Sequence, residues 1–275
     1  MAEPIFITSR SNPYVMKIAS LSEKKYRDAA RLFTADGVKL FREAAACGMR
    51  FDSVIVREDK AAQYLPEAAR LAPEAPVYVL SESAFSKISD EKAPQGIISV
   101  LCYAETIHKT FESAAEAAEA LPAGEGVIAL ESVRDPGNLG TVIRSAAAFD
   151  TAALLLSEDC ADIYNPRTVR AAMGALFTRK VIRVSRLDQA LAALVRAGRR
   201  VYATTLSDTA ESLQDLTCRA DDIFVIGNEG HGLSRQVVDA CSGAVFIEML
   251  TGPGIESLNA AVAASVIMYE RKRCQ

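Results

Sequence analysis

The stretch whose reading decides the fold is Val245-Phe246-Ile247-Glu248-Met249-Leu250, then Thr251-Gly252-Pro253-Gly254-Ile255-Glu256, then Ser257-Leu258-Asn259, before the apolar run Ala260 to Tyr269. An extended run meets a glycine loop, and the loop leads a polar pair into a helix that is apolar on every side. A helix of that kind is buried, so Ser257 and Asn259 stand at the edge of a core. Two readings fit their spacing equally. Ser257 is an N-cap for first-turn amides, with Asn259 assisting, or the pair belongs to a site.

The same strand-to-helix unit recurs upstream. Strands are expected at 127–130, 153–156, 180–184, 200–204, 223–226 and 245–249, with helical patterns between most of them, as at 188–197 and 234–241. Short apolar strands alternating with helices predict a mainly parallel, doubly covered sheet. The first hundred residues read as a smaller α/β unit. Asn12-Pro13 opens a helix with Val15, Ile18 and Leu21 at helical spacing. Strands follow at 31–34, 54–56, 77–80 and 97–101, with a helix at 37–47. An Ala/Glu helix over 111–121 and the breaker Pro122-Ala123-Gly124 mark a shift in composition. We therefore expect domains at 1–103 and 125–275 joined by a linker at 104–124.

Half of the 275 residues are hydrophobic, and no apolar run approaches the roughly 20 residues of a membrane span. The first residues carry no basic and apolar export signal, so the expected location is cytoplasmic. Six cysteines form no CxxC pair, and the two histidines, His108 and His231, form no metal or triad motif. The expected chemistry runs without metal. The net charge is −4, but residues 1–50 and 134–200 carry local excesses of +4 and +5. Such faces can track a phosphate backbone, and they equally fit solvated helix surfaces.

Two further constellations sit where strands give way to helices. In Asp135-Pro136-Gly137-Asn138-Leu139-Gly140-Thr141-Val142-Ile143-Arg144, Pro136-Gly137 predicts a type II turn. Asn138 is placed to cap the next helix, with Arg144 in its second turn, close to where ligands of open α/β sheets bind. In Gly227-Asn228-Glu229-Gly230-His231-Gly232-Leu233-Ser234, glycines follow a hydrophobic strand and allow a close backbone approach. The order G-x-x-G-x-G is neither the dinucleotide fingerprint nor a Walker loop, and His231 reads as a loop residue.

In this order and at these spacings, the three constellations resemble the SpoU (TrmH-like) family of RNA ribose methyltransferases, of the SPOUT class. The matching residues are Asn138, Gly140 and Arg144, then Gly227-Asn228-Glu229-Gly230 with Gly232-Leu233-Ser234, then Ser257-Leu258-Asn259. The segments 160–166 and 169–177 are also similar to this family. The N-terminal portion, from Ser9-Arg10-Ser11-Asn12-Pro13 through Lys24-Lys25-Tyr26-Arg27, looks like the L30e-like substrate-binding domain of some members.

The resemblance implies an α/β fold whose C-terminal segment is tucked into a deep trefoil knot, an exception to the rule against threaded loops. It implies S-adenosylmethionine bound at Thr204, Leu206, Gly227, Asn228, Gly232, Ile247, Met249 and Leu258. The catalytic set would be Arg144, Asn138, Glu229, Ser257 and Asn259, acting in a homodimer. RNA, ribosomal in preference to transfer RNA, would meet Arg10, Asn12, Lys24, Lys25, Arg27, Arg167 and Arg170. The family carries proline where this chain has Glu248, and its third loop is usually shorter. Arg144 would grip a phosphate and the ribose hydroxyl, since arginine stays protonated in proteins. Asn138 would orient Arg144 or the ribose, Glu229 would hold the loop or the RNA, and Ser257 with Asn259 would fix the knot and the target nucleotide. A transfer-RNA enzyme and a non-catalytic RNA-binding relative are the alternatives. A nucleotide-dependent oxidoreductase lacks its fingerprint here.

Overall fold

The computed structural model describes residues 3–207, 209–228, 230–250 and 257–274, so Glu229 and the loop 251–256 lie outside the described residues. The chain forms two compact units. One comprises Met1–Ala104 with Asp162–Phe177, the other Glu105–Ala161 with Thr178–Gln275.

The first unit opens with β1 (Ile5–Ile7), α1 (Pro13–Ser20) and α2 (Lys24–Ala30). Asn12 starts α1 by accepting the Tyr14 amide at 2.8 Å, and Pro13 occupies the first helical position, where its missing N–H costs nothing. β2 (Leu32–Asp36), α3 (Val38–Ala46), β3 (Phe51–Arg57), α4 (Ala61–Leu71), β4 (Val77–Leu80), α5 (Glu82–Phe85) and β5 (Ile97–Cys102) follow. The sheet order is β1-β4-β3-β5-β2, with β5 antiparallel to both of its neighbours. Strand β1 and helix α4 have no counterpart in the sequence reading. α8 (Pro166–Ala172) and the short helix Met173–Phe177 complete this unit, although the sequence resemblance groups them with the later motifs. They are tied in by non-local contacts. Tyr103 and Tyr164 stack at 3.8 Å, the Gly174 amide donates to Glu43 at 2.8 Å, and Arg27 pairs with Asp162 at 2.5 Å.

The second unit is an eight-stranded sheet in which every neighbouring pair is parallel. It begins inside the stretch expected as a linker. β6 (His108–Phe111) pairs with a strand 73 residues downstream, and α6 (Ala114–Glu119) follows it. The rest are β7 (Val127–Leu130), α7 (Pro136–Ala148), β8 (Ala153–Ser157), β9 (Lys180–Val184), α9 (Leu187–Arg196), β10 (Val201–Thr204), β11 (Glu211–Ser212), β12 (Ile223–Ile226), α10 (Arg235–Asp239), β13 (Gly243–Phe246) and α11 (Ala260–Arg273). The order is β11-β13-β10-β12-β7-β8-β9-β6. β7 and β8 are buried throughout, the pattern of strands covered on both faces. Val127, Ala129, Ala153 and Leu155 share one core with residues of α6, α9 and α10. α11 packs against α7 and β12.

Three local expectations are corrected here. Helix α7 starts at Pro136, so Pro136-Gly137 is its first turn and no type II turn forms. Its cap is Asp135, whose carboxylate accepts the Asn138 amide at 2.8 Å, and Asn138 itself is helical. The proline's fixed φ favours the earlier start. The cap of α11 is Asn259, not Ser257: its side-chain oxygen accepts the amides of Ala261 and Val262. Strand β13 ends at Phe246, so residues 247–250 leave the sheet.

Candidate active site

Three neighbouring strands, β12, β10 and β13, release their chain at the same carboxyl edge, where ligands of open α/β sheets bind. Residues just past those ends, with the approach to α11, enclose a cavity of about 400 Å³. All eight residues expected to hold a cofactor line it: Thr204, Leu206, Gly227, Asn228, Gly232, Ile247, Met249 and Leu258. Ser257, expected among the catalytic residues, lines it too. Phe246 and Ile226 also contribute, and the sequence reading missed them. Both end strands that it did identify, which was the available signal. Glu248 is exposed between two lining residues.

The wall formed by the second motif is a tight hairpin. The Asn228 amide donates to the Gly232 carbonyl at 3.2 Å, and the Gly232 amide returns the bond at 2.9 Å. A Cβ on Gly227 would lie 2.4 Å from the Gly232 carbonyl carbon, and Gly232 holds a φ of +64°. Only glycine allows both the approach and the turn. The Asn228 side chain locks the hairpin further by accepting the Gly230 amide at 2.8 Å. At the end of the neighbouring strand β10, the Thr204 hydroxyl is buried with no hydrogen-bond partner among the described residues. A buried orphan of this kind lacks its compensating bond until something supplies one.

Asn259 links the third motif to the first. While its oxygen caps α11, its Nδ2 donates to Asn138 Oδ1 at 3.1 Å, across 121 residues of sequence. Ser145 and Ser265 join the same two helices at 2.8 Å. Arg144 is exposed on α7, and no described residue bonds or ion-pairs its guanidinium. Glu229 lies outside the described residues, and His231 is exposed in its loop. Among the described residues no group of three or more His, Cys, Asp or Glu could hold a metal, and no helix is long and apolar enough to cross a membrane.

The residues expected to meet RNA all fall in the first unit. Arg10 and Arg167 are exposed, as are Lys24 and Lys25, which pair with Asp28 and Glu23. Asn12 is occupied as a helix cap, and Arg170 bonds Glu91 at 2.8 Å. Arg27 departs from the expectation of an RNA-facing cation. It is 1% exposed and donates to the carbonyls of Leu21 and Ser22 and to Asp162. Its place inside the unit makes it an internal strut.

Known proteins match along the same division. The SpoU rRNA Methylase family model matches residues 125–269, and an MRM3-like substrate binding domain model matches residues 12–99. The chain is 30% identical over 263 residues to the 23S rRNA (guanosine(2553)-2'-O)-methyltransferase RlmP of Bacillus subtilis, covering 96% of this chain and 97% of that one. It is 32% identical over 219 residues to the 23S rRNA (guanosine-2'-O-)-methyltransferase RlmB of Coxiella burnetii, covering 79% and 84%. The solved structure of an AdoMet-bound rRNA methyltransferase from Sinorhizobium meliloti superposes with a TM-score of 0.80 at 28% identity, covering 98% of this chain and 97% of that one. With a family model spanning more than half of its residues and a relative of this similarity along nearly its whole length, the chain belongs to the SpoU rRNA methylase family.

Proposed function

We propose that this protein is an S-adenosylmethionine-dependent methyltransferase acting on ribose 2′-hydroxyls of ribosomal RNA. The observation that carries the reading is the bond from Asn259 to Asn138. It joins the segment lining the cavity to the helix that bears Arg144, which has no partner among the described residues. The cavity lies within the roughly 300–1,000 Å³ of small-molecule sites. Its donor set fits an adenosyl ligand: an orphaned hydroxyl at Thr204, hairpin backbone at Gly227 to Gly232, and apolar walls at Ile226, Phe246, Ile247, Met249 and Leu258.

S-adenosylmethionine, when bound, supplies a methyl group on a sulfonium, open to in-line displacement without a metal. The protein's part is to place the ribose hydroxyl and ease loss of its proton. Arg144 presents a planar fork that binds and orients a phosphate and the adjacent hydroxyl, while the hydroxyl proton leaves late to the adjacent RNA phosphate or to water. Asn259 fixes Asn138 from the side of the cavity. Ser257 lines the cavity, and Glu229 is assigned, by its place in the second sequence motif, to hold that loop or the RNA. Ribosomal RNA is supported by the relatives' substrates and by the substrate-binding domain model over 12–99.

The working form in this proposal is a cytoplasmic homodimer whose C-terminal segment is threaded as a knot. An apolar stripe on α11, Val262, Val266 and Tyr269, is 36–55% exposed and suits a second copy. Incubating the protein with S-adenosylmethionine and either ribosomal or transfer RNA, then mapping 2′-O-methylation, tests the reading. A new methylated ribose in ribosomal RNA is expected. No methylation of either RNA, with no binding of S-adenosylhomocysteine by calorimetry, would sink it.

A further inference from the structure

Beneath the cofactor hairpin lies a brace that reaches it through a strained residue. Ser132, between β7 and α7, holds a φ of +56°, a left-handed conformation that residues with a Cβ rarely adopt. Every polar group of Ser132 is engaged. Its amide donates to Ser157 Oγ at 2.9 Å, its hydroxyl donates to Asp159 Oδ2 at 2.7 Å, and its carbonyl accepts from Asn228 Nδ2 at 2.9 Å. Ser157 in turn donates to Asp159 Oδ1 at 2.7 Å, and Arg134 adds a third donor to that carboxylate at 2.7 Å. Such strain persists where the surroundings over-determine it, and functional sites are where it collects.

We propose that Asp159 is a positioning residue for the cofactor site, acting by holding Ser132 in its left-handed turn so that the Ser132 carbonyl fixes Asn228. Asp159 does not line the cavity, whereas Asn228, Gly230 and Gly232 do. The carboxylate sets the Ser132 turn, the turn aims one carbonyl, and the carbonyl orients the Asn228 amide. Asn228 then locks the hairpin through Gly230 and Gly232. Hydrogen bonds to a charged acceptor are among the strong ones, so this anchor is firm although it is part-exposed. The inference rests on the reading of the cavity as an adenosyl site.

The test uses the full chain and S-adenosylhomocysteine, titrated by calorimetry. Ser132→Ala and Ser132→Gly both lose the hydroxyl, but only glycine holds this φ without strain. Alanine is expected to weaken binding about tenfold and glycine by no more than about twofold. Asp159→Ala is expected to weaken it about tenfold, and adding Ser132→Gly to restore it to within about threefold of the unaltered protein. Affinity for a ribosomal RNA fragment without cofactor should stay within about twofold throughout, since the brace acts on the cofactor wall.

Equal weakening by alanine and glycine at 132, unchanged binding in Asp159→Ala, no recovery in the double variant, or a parallel loss of RNA affinity would each overturn the proposal. If Asp159→Ala fails to fold, the two Ser132 variants decide it by themselves. An unaltered protein that does not bind S-adenosylhomocysteine would overturn the cofactor reading and this proposal with it. Binding by the unaltered protein with indifferent variants would overturn this proposal alone.

Discussion

Helix α2 of the first unit and helix α7 of the second each carry an arginine that the family resemblance marks as functional, and the structure treats them oppositely. Arg27 is enclosed, with two carbonyls and a carboxylate as partners. Arg144 stands in solvent with no described partner. A guanidinium that already has its partners holds its own protein together. One that lacks them is available to a phosphate. Burial and partners, rather than the sign of the charge, separate the two roles.

The largest expected effect tests the first half of that contrast. Arg27→Ala removes one member of a buried pair and leaves Asp162 without its cation, so unfolding in urea should show a loss of about 3–5 kcal/mol. A change within experimental error would return Arg27 to the RNA face. Arg144 tests the other half. Arg144→Lys keeps the charge but loses the fork, and we expect methyl transfer to fall at least about a hundredfold, with urea stability and S-adenosylhomocysteine affinity unchanged. Near-normal transfer by that variant would remove the role assigned to the guanidinium.

Asn259 stands between the two cases, because one side chain serves both the helix and the site. Asn259→Ala should cost about 1 kcal/mol of stability as a lost cap. It should also slow methyl transfer more than that loss alone would, since the bond from Asn259 that helps to place Asn138 is removed. Slowing no greater than the stability loss accounts for would make Asn259 a cap alone.

The smallest effect belongs to Arg134, which is exposed yet paired. Burial raises the Asp159 carboxyl, but hydrogen bonds from Ser132, Ser157 and Arg134 outweigh it and hold the group down at about 2. A carboxyl depressed in the folded state stabilises above its unfolded value of about 3.9, and that contribution fades as pH falls toward 2. Arg134→Gln should therefore cost less than about 1 kcal/mol at neutral pH. The deficit should stay constant from about pH 8 to 5 and shrink below about pH 4. A deficit that grew on acidification would mean that the pair acts otherwise.

The second unit was the more legible of the two in sequence. Its buried parallel strands are short apolar runs, and glycine and asparagine mark the turns after them, so the strands could be placed from sequence, while the residues around the cavity were named through the family resemblance. What escaped the reading depends on partners remote in the chain. β6 is polar and short, and it exists because β9 offers an edge far downstream. Arg27 looked like any surface cation until Asp162 closed over it. Ser257 and Asn259 are both good caps, and only the backbone entering α11 decides which of them serves. Ser132 carries no local signal for a left-handed turn, because the residues that impose it lie at the end of β8 and in the turn just past it.

The insertion of residues 162–177 into the first unit has a consequence for how the chain is made and how it can be cut. A nascent chain that has emerged only as far as Ala104 holds all five strands of the first sheet. It does not yet hold the carboxylate that pairs with Arg27 or the ring that stacks on Tyr103. Domains generally close as units during synthesis, and this one cannot finish until β7 and β8 of its neighbour have already emerged from the ribosome. A fragment ending at residue 104 would leave Arg27 enclosed without its counter-charge. The boundary that looks natural on paper is one that the polypeptide itself does not observe.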